Sequence, residues 1–442
     1  MSRFCQDTTA EILQWIERRN REVVVDVEEV PFADLMGWHF DGPTGNLVHD
    51  SGKFFSIVGL DVYTNTGCVS RWTQPIINQP EVGYLGVICT EFNGVLHYLL
   101  QAKIEPGNVN CVQLSPTLQA TRSNYMQVHG GKKPAFLEYF QNARPEQIVL
   151  DQLQSEQGAR FLRKRNRNII IKVEGTEADR LKAEAGANPD FRWLTLSQIK
   201  ELMRRDNTVN MDTRTVLSAL RTGEEGNVDD PRSVHTTDQI LYRLSALKSK
   251  YELITEKIGL GDVKDGWQVT PTEIVRDDRN FFRVIGVRVT ISNREVASWC
   301  QPLVMPMQEG LCVLFRKQIN GVLHYLLQAK VECGNYDVFE LAPTIQCLTG
   351  DYRLTPKENR PRFVNEFLSG EIKGKVVVDA LQSEEGGRFY REQNRNVIFD
   401  LTDNMEVNDH ENFLWLTMAQ IKEFLRYNNY LNIQVRSLVS ML

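Results

Sequence analysis

The sequence predicts an α+β protein made of two homologous modules that arose by internal duplication, each a mixed or antiparallel sheet flanked by helices. Three observations carry this. The eleven residues "NGVLHYLLQAK" occur twice, from Asn93 to Lys103 and from Asn320 to Lys330. The flanking segments recur in the same order: "TTAEIL" at Thr8 with "TTDQIL" at Thr236, "SRWTQP" at Ser70 with "ASWCQP" at Ala297, and "WLTLSQIK" at Trp193 with "WLTMAQIK" at Trp415. Within each copy, strand-like runs alternate with capped helical stretches. The modules span 1–221 and 236–442, and residues 222–235 between them have the Gly, Pro and charge content of a solvated linker.

Taken in order, a helix is expected after the Thr-Thr cap, with Ile12, Leu13, Trp15 and Ile16 on its apolar side. Strands follow at "FFSIVGLDVYT" from Phe54, "VGYLGVICTEF" from Val82 and "VLHYLLQAKIE" from Val95. The last two are joined by Asn93-Gly94, a pair that tolerates the positive φ of a tight hairpin turn. Helices are expected at "QGARFLRKRN" and at "LTLSQIKELMRR", where Thr195 or Ser197 can cap.

The bulk composition narrows the class. At 442 residues, 42% hydrophobic and 24% charged, the chain has the make-up of a globular protein with room for two or three packed domains. A net charge of −6 and a pI near 5.8 argue against nucleic-acid binding, which needs a basic field. No apolar run approaches the roughly 20 residues of a membrane span, and "MSRFCQDTTAEILQW" lacks the apolar core of a secretion signal. The chain reads as cytoplasmic, without membrane or nucleic-acid partners. Its eight cysteines form no CxxC pair, and its seven histidines show no HxxxH or HExxH spacing, so no dedicated metal site is expected.

In an extended strand side chains alternate, which puts His97, Leu99, Gln101, Lys103 and Glu105 on one face and Tyr98, Leu100, Ala102 and Ile104 on the other. The second face is core. The first is largely polar and returns as His324, Gln328, Lys330 and Glu332, which a ligand-facing sheet explains better than a structural hydrogen-bonded polar row or an ordinary wet face. The following segment, "SPTLQATRSNYMQVHGG", offers Ser115, Thr117, Arg122, Asn124, Tyr125 and His129 as ligand-type groups; the second copy offers Tyr352. Trp72 and Trp299 supply either a surface for base stacking or core volume.

Together, the doubled "HYLLQAK", "SPTLQATRSNY…HGG", the doubled "LQSE(Q/E)G(A/G)RF…NRN" and the "WLT…QIK" segment resemble the nucleotide-diphosphohexose 2,3-dehydratases of deoxysugar biosynthesis, over nearly the whole chain. The resemblance implies Nudix-like modules, a homodimer, a dTDP-4-keto-6-deoxyhexose substrate, no cofactor, and two nucleotide-sugar pockets per chain of which one is catalytic. A metal-dependent Nudix hydrolase would need GX5EX7REUXEEXGU, and neither copy has it. Arg160, Arg167, Arg388 and Arg395 in the nearest stretches serve either a pyrophosphate or a solvated face.

The implied reaction needs no redox help. The C3 proton of a 4-keto sugar is acidified by the ketone, and the C2 hydroxyl lies one carbon further, the arrangement for β-elimination. A base takes the C3 proton, donors hold the enolate, an acid protonates the departing hydroxyl, and the enol tautomerises to a 3,4-diketo-2,6-dideoxyhexose. No GxGxxG or P-loop calls for a nucleotide cofactor. Glu105, His129, Tyr125 and Lys103 are the candidates for catalysis. Trp72, His97, Gln101, Ser115, Thr117, Arg122, Asn124 and Arg160 are the candidates for binding, and Trp299, His324, Gln328, Lys330, Glu332, Tyr352 and Arg388 form the second pocket. The first module is favoured for chemistry, since the second lacks an equivalent of His129. The alternatives are a non-catalytic nucleotide-sugar binder and, less well supported, the hydrolase.

Overall fold

The computed structural model describes residues 7–125, 133–292, 298–349, 355–402 and 410–442. Each half opens on a helix fixed by a reciprocal cap. Thr8 caps Thr9–Glu22, its hydroxyl accepting from the Glu11 N–H while the Glu11 carboxylate accepts in return. Thr236 and Gln239 do the same for Thr237–Lys250. Ile12, Trp15 and Ile16 are buried, as are Ile240, Leu244 and Leu247 in the second helix.

Each half then builds a seven-stranded mixed sheet. In the first, Ile148–Ser155, Arg165–Lys172, Gly83–Phe92, Val95–Ile104 and Phe191–Thr195 lie side by side, with Val112–Ser115 and Leu118–Ala120 added alongside. Only Arg165–Lys172 and Gly83–Phe92 run parallel. The second half repeats this order with Gly374–Ser383, Gln393–Leu401, Gly310–Ile319, Val322–Lys330 and Phe413–Thr417. The Asn-Gly hairpin turns take the left-handed backbone expected of them, with φ of 51° and 79° at Asn93 and Gly94, and 53° and 77° at Asn320 and Gly321.

Two further antiparallel sheets of five strands join the halves. Val25–Val30, which follows the first helix, leaves its own half and pairs with Phe282–Ile291 in the register Val25↔Ile291 to Val30↔Gly286. Leu253–Ile258, which follows the second helix, pairs with Ser56–Thr64 from Leu253↔Thr64 to Ile258↔Gly59. Each half thus lends one strand to the other. The largest apolar cluster follows from this exchange: it runs without a break through Trp15, Leu100 and Leu194 of the first half and Ile285, Tyr325 and Leu416 of the second.

One expected helix is absent. "QGARFLRKRN" is a single turn, in which the N–H groups of Arg160 and Phe161 both return to the Gln157 carbonyl, at 3.1 and 2.9 Å. Arg163, with φ at 48°, ends it. The turn is held by the other half: the Gly334 N–H donates to the Gly158 carbonyl at 2.6 Å and the Arg163 N–H to the Gly334 carbonyl at 2.8 Å. The equivalent turn is held the same way, Gly107 N–H to Gly386 carbonyl at 2.7 Å and Arg391 N–H to Gly107 carbonyl at 2.7 Å. These two bonds per turn, made to another chain segment, outweigh the local helical preference.

Candidate active site

A cavity of about 720 Å³ opens where the end of Val95–Ile104 meets the turn Glu385–Arg388. Its floor carries Gln101 and Lys103 from the repeated strand, Glu105 just beyond its end, and Gln119 from Leu118–Ala120. Trp38, Phe54 and Phe55 line one wall, and Trp299, Gln301, Glu385 and Arg388 come from the second half. An apolar wall with a few convergent charged groups is the usual make-up of a small-molecule site.

Glu105 is buried and half-partnered. Its Oε1 accepts from Lys103 Nζ at 3.3 Å and from Gln119 Nε2 at 2.7 Å, whereas its Oε2 is buried without a hydrogen-bond partner. The Gln119 amide is oriented from behind, because its oxygen accepts from Asn210 Nδ2 at 3.1 Å, which turns the Gln119 nitrogen towards Glu105. Asn210 is the N-cap of the helix Met211–Ser218, so the helix terminus fixes the relay.

Further carboxyl groups surround Glu105. Asp212, 2% exposed, lines the cavity with its Oδ1 unpartnered, and burial, then the charges of Glu156, Glu385 and Glu105, push its carboxyl well above the usual range. Glu385 is pushed up to about 7, by burial first and Glu105 next. Glu156, which accepts from Asn166, is raised mainly by burial. Three cations offset these acids: Lys103, Lys164 and Arg388. The Arg388 guanidinium lies 4.2 Å over the Phe55 ring and donates to Gln79 Oε1 at 3.0 Å and to the Gly387 carbonyl at 2.7 Å. The Trp299 indole donates to Gln301 Oε1 at 2.8 Å, and Gln301 donates to the Gly387 carbonyl at 2.8 Å, so the repeated Trp-x-Gln-Pro ties the tryptophan wall to the turn. Among the described residues, no group of three or more His, Cys, Asp or Glu side chains is placed to hold a metal ion.

The structure regroups the residues singled out from the sequence. Trp299 and Arg388, assigned there to a second pocket, line the cavity of Glu105, because the halves are interlocked. The converse holds for Trp72 and Arg160. Trp72 packs on the cluster that contains Cys333, and Arg160, 4.2 Å over Phe282, acts electrostatically on the carboxyl of Glu332. Glu332 repeats the Glu105 arrangement, its Oε1 accepting from Gln346 Nε2 at 2.9 Å with Lys330 close by, while Gln328 donates to the Pro343 carbonyl at 2.9 Å.

Several expectations of direct ligand contact are corrected. His97 is on the face expected, but at the far end of the strand, buried against Phe92 with ring centroids 5.1 Å apart and Nδ1 at 2.9 Å from the Val95 carbonyl. His324 is a structural tie. Its Nδ1 meets the Val322 carbonyl at 2.9 Å and its Nε2 accepts the linker N–H of Val234 at 3.0 Å, which fixes the neutral ring that burial also favours. Ser115 accepts from Asn210 Nδ2 at 2.9 Å inside the core. The Thr117 side chain borders the cavity, but its hydroxyl accepts the Ile88 N–H at 3.0 Å and donates to the Leu99 carbonyl. Arg122 is exposed. Tyr125 packs edge-on to Tyr84 at 5.5 Å, outside the cavity lining, and burial raises its hydroxyl pKa. Arg167 and Arg395 pair with Asp151 and Asp379. His129 and Tyr352 lie outside the described residues, as does the side chain of Asn124. Asp212, Glu385, Glu156, Lys164 and Gln119 were not singled out from the sequence. A signal for Glu385 and Asp212 existed, since aligning the repeats sets Glu385 against Gln157 and Asp212 against Gln434.

Comparisons with known proteins place the chain in a family. The family model described as NDP-hexose 2,3-dehydratase matches twice, over residues 9–220 and 237–442. A protein of Saccharopolyspora spinosa named dTDP-4-dehydro-6-deoxy-alpha-D-glucopyranose 2,3-dehydratase is 43% identical, over 98% of this chain and 91% of its own. Proteins with the same name from Amycolatopsis orientalis and Streptomyces violaceoruber are 41% and 38% identical over 98% of this chain, and over 90% and 96% of their own lengths. With both halves matched in order and the relatives aligned nearly end to end, the chain belongs to the NDP-hexose 2,3-dehydratase family.

Proposed function

We propose that the chain eliminates water across C2 and C3 of a dTDP-4-keto-6-deoxyhexose, giving the 3,4-diketo-2,6-dideoxyhexose nucleotide, in the cavity that holds Glu105. The relatives' names support the substrate. The observation that carries the chemistry is the state of Glu105. Two donors fix one carboxylate oxygen, and the other is buried and unpartnered, which is the condition of a general base waiting for a C–H proton. Lys103 beside it stabilises the enolate oxygen or a phosphate. Trp299 and Arg388 on the opposite wall offer a stacking plane and a bidentate cation to the nucleotide.

Elimination from a 4-ketone moves no electrons between substrate and cofactor, so the proposal includes no cofactor. It includes a cytoplasmic homodimer acting on a small nucleotide sugar, with a Nudix-like origin for each half; no helix among the described residues is long and apolar enough to cross a membrane. Incubating the purified protein with the 4-keto sugar nucleotide and EDTA tests the reaction. Loss of one water from the sugar is the expected result. Release of a nucleoside monophosphate would favour a hydrolase, and an unchanged but bound ligand a binding protein.

A further inference from the structure

The two halves keep their shape while differing in which groups can move a proton. The turn "SEQGARF" at Ser155 corresponds to "SEEGGRF" at Ser383, so Glu385 stands where the other copy has Gln157. The helix starts "NMDTR" at Asn210 and "NIQVR" at Asn432 correspond, so Asp212 stands where the other copy has Gln434. An amide reproduces the size and most hydrogen bonds of a carboxyl group but transfers no proton at neutral pH. Glu385 and Asp212 both line the cavity of Glu105. The Oε1 of Glu385 accepts the Gly387 N–H at 2.9 Å, which anchors the side chain beside Arg388, and the buried Oδ1 of Asp212 has no partner. Glu332 has the same amide donor as Glu105 but Gln157 and Gln434 in the places of these two acids; the acid on its side is Glu392, which stands where the first copy has Lys164 and is hydrogen-bonded to Gln157.

We propose that Glu385, supplied by the second half to a base on the first, is the general acid that protonates the departing C2 hydroxyl. This rests on the dehydratase reading. The proton count closes within the site. Glu105 takes the C3 proton, leaving the C3–H electrons in an enolate on O4, and these then form the C2=C3 bond as the C2–O bond breaks and the C4 carbonyl is restored. Glu385 gives its proton to the leaving oxygen, which departs as water. In the tautomerisation that follows, the O3 proton passes to Glu385 and the Glu105 proton to C2, so both groups end in their starting states.

The test is Glu385→Gln in the full chain, the residue already accommodated in the equivalent turn as Gln157, assayed with dTDP-4-keto-6-deoxyglucose in D2O. Water loss and deuterium at C3 of unreacted substrate are read by mass spectrometry and NMR. The expected result is a kcat lower by on the order of 10²-fold or more, a KM within a few-fold of the parent, and continued exchange at C3, because Glu105 still removes that proton. A kcat within a few-fold of the parent would overturn the assignment, as would loss of C3 exchange together with water loss in a protein whose circular dichroism is unchanged. If the parent protein itself releases no water, the dehydratase reading falls, and this inference with it.

Discussion

At the scale of single residues the site works by setting one carboxyl group against others. Glu105 has its donors on one oxygen, and the neighbouring acids share an enclosed space with it, so removing a proton from Glu385 costs more than it would in water. Two consequences follow from a Glu385 pKa of about 7, raised by burial first and then by Glu105 and Glu156, against the opposing charges of Arg388 and Lys103. Turnover should fall as pH rises through about 7, when the acid is spent. Stability should also fall with rising pH between the ordinary carboxylate value of 4.5 and about 7, since there the folded chain holds a proton that the unfolded chain has released. Glu385→Gln should therefore melt at a higher temperature than the parent at pH 8, with the difference shrinking towards pH 5; thermal melts at the two pH values check this, and a difference that grows on acidification would contradict it. A residue placed for chemistry at the expense of stability is the familiar trade-off of active sites.

At the scale of elements the exchange of strands and turns between halves positions the site. Gly107 follows Glu105 and Pro106 and touches the turn that carries Glu385 and Arg388: a Cβ on Gly107 would lie 1.6 Å from the Phe389 carbonyl oxygen and 2.7 Å from that of Gly386. A Cβ on Gly334 would meet the Phe161 and Gly158 carbonyl oxygens at 1.8 and 2.6 Å in the corresponding contact. Gly107→Ala should cost about 1–3 kcal/mol of stability by overpacking and lower turnover, while Gly334→Ala should cost similar stability and leave turnover closer to the parent; denaturant unfolding alongside activity separates the two. The sequence made the local elements legible. Period-two alternation correctly assigned Tyr98, Leu100, Ala102 and Ile104 to the core, the Asn-Gly turns formed, and Thr195 is the cap. It misled where a distant segment decides: the turn at Gln157 reads as a helix until Gly334 and Arg163 are seen to clamp it. His97 and His324 share the expected face of their strands, but in Val95–Ile104 only the far end, from Gln101 onward, lines the cavity.

At the scale of the whole molecule the halves share one apolar core and exchange strands. Where the helices Met211–Ser218 and Ile433–Ser440 meet, Arg214 and Arg436 are fully buried, and each crosses to the other half: Arg214 to Ser437 and the Ser383 carbonyl, Arg436 to Thr215 at 2.7 Å and the Ser155 carbonyl. Burial lowers the pKa of both to about 10 while Glu384 and Glu340 oppose the shift. Arg214→Leu should cost about 3–5 kcal/mol by leaving those partners unpaired, and calorimetry of the parent should show one transition, two separable ones being the contrary result. This interlocking is why pocket membership was not legible: a repeat tells which residues correspond but not which copy's wall faces which copy's floor, so Trp299 and Arg388 were grouped away from Glu105. The same geometry sharpens the central claim, that chemistry belongs to the cavity of Glu105 and not to its counterpart around Glu332. Steady-state turnover of Glu105→Gln and Glu332→Gln, measured side by side on the 4-keto sugar nucleotide, tests it most directly. The account predicts a loss on the order of 10²-fold or more for Glu105→Gln and a much smaller change for Glu332→Gln; an inactive Glu332→Gln beside an unimpaired Glu105→Gln would contradict it.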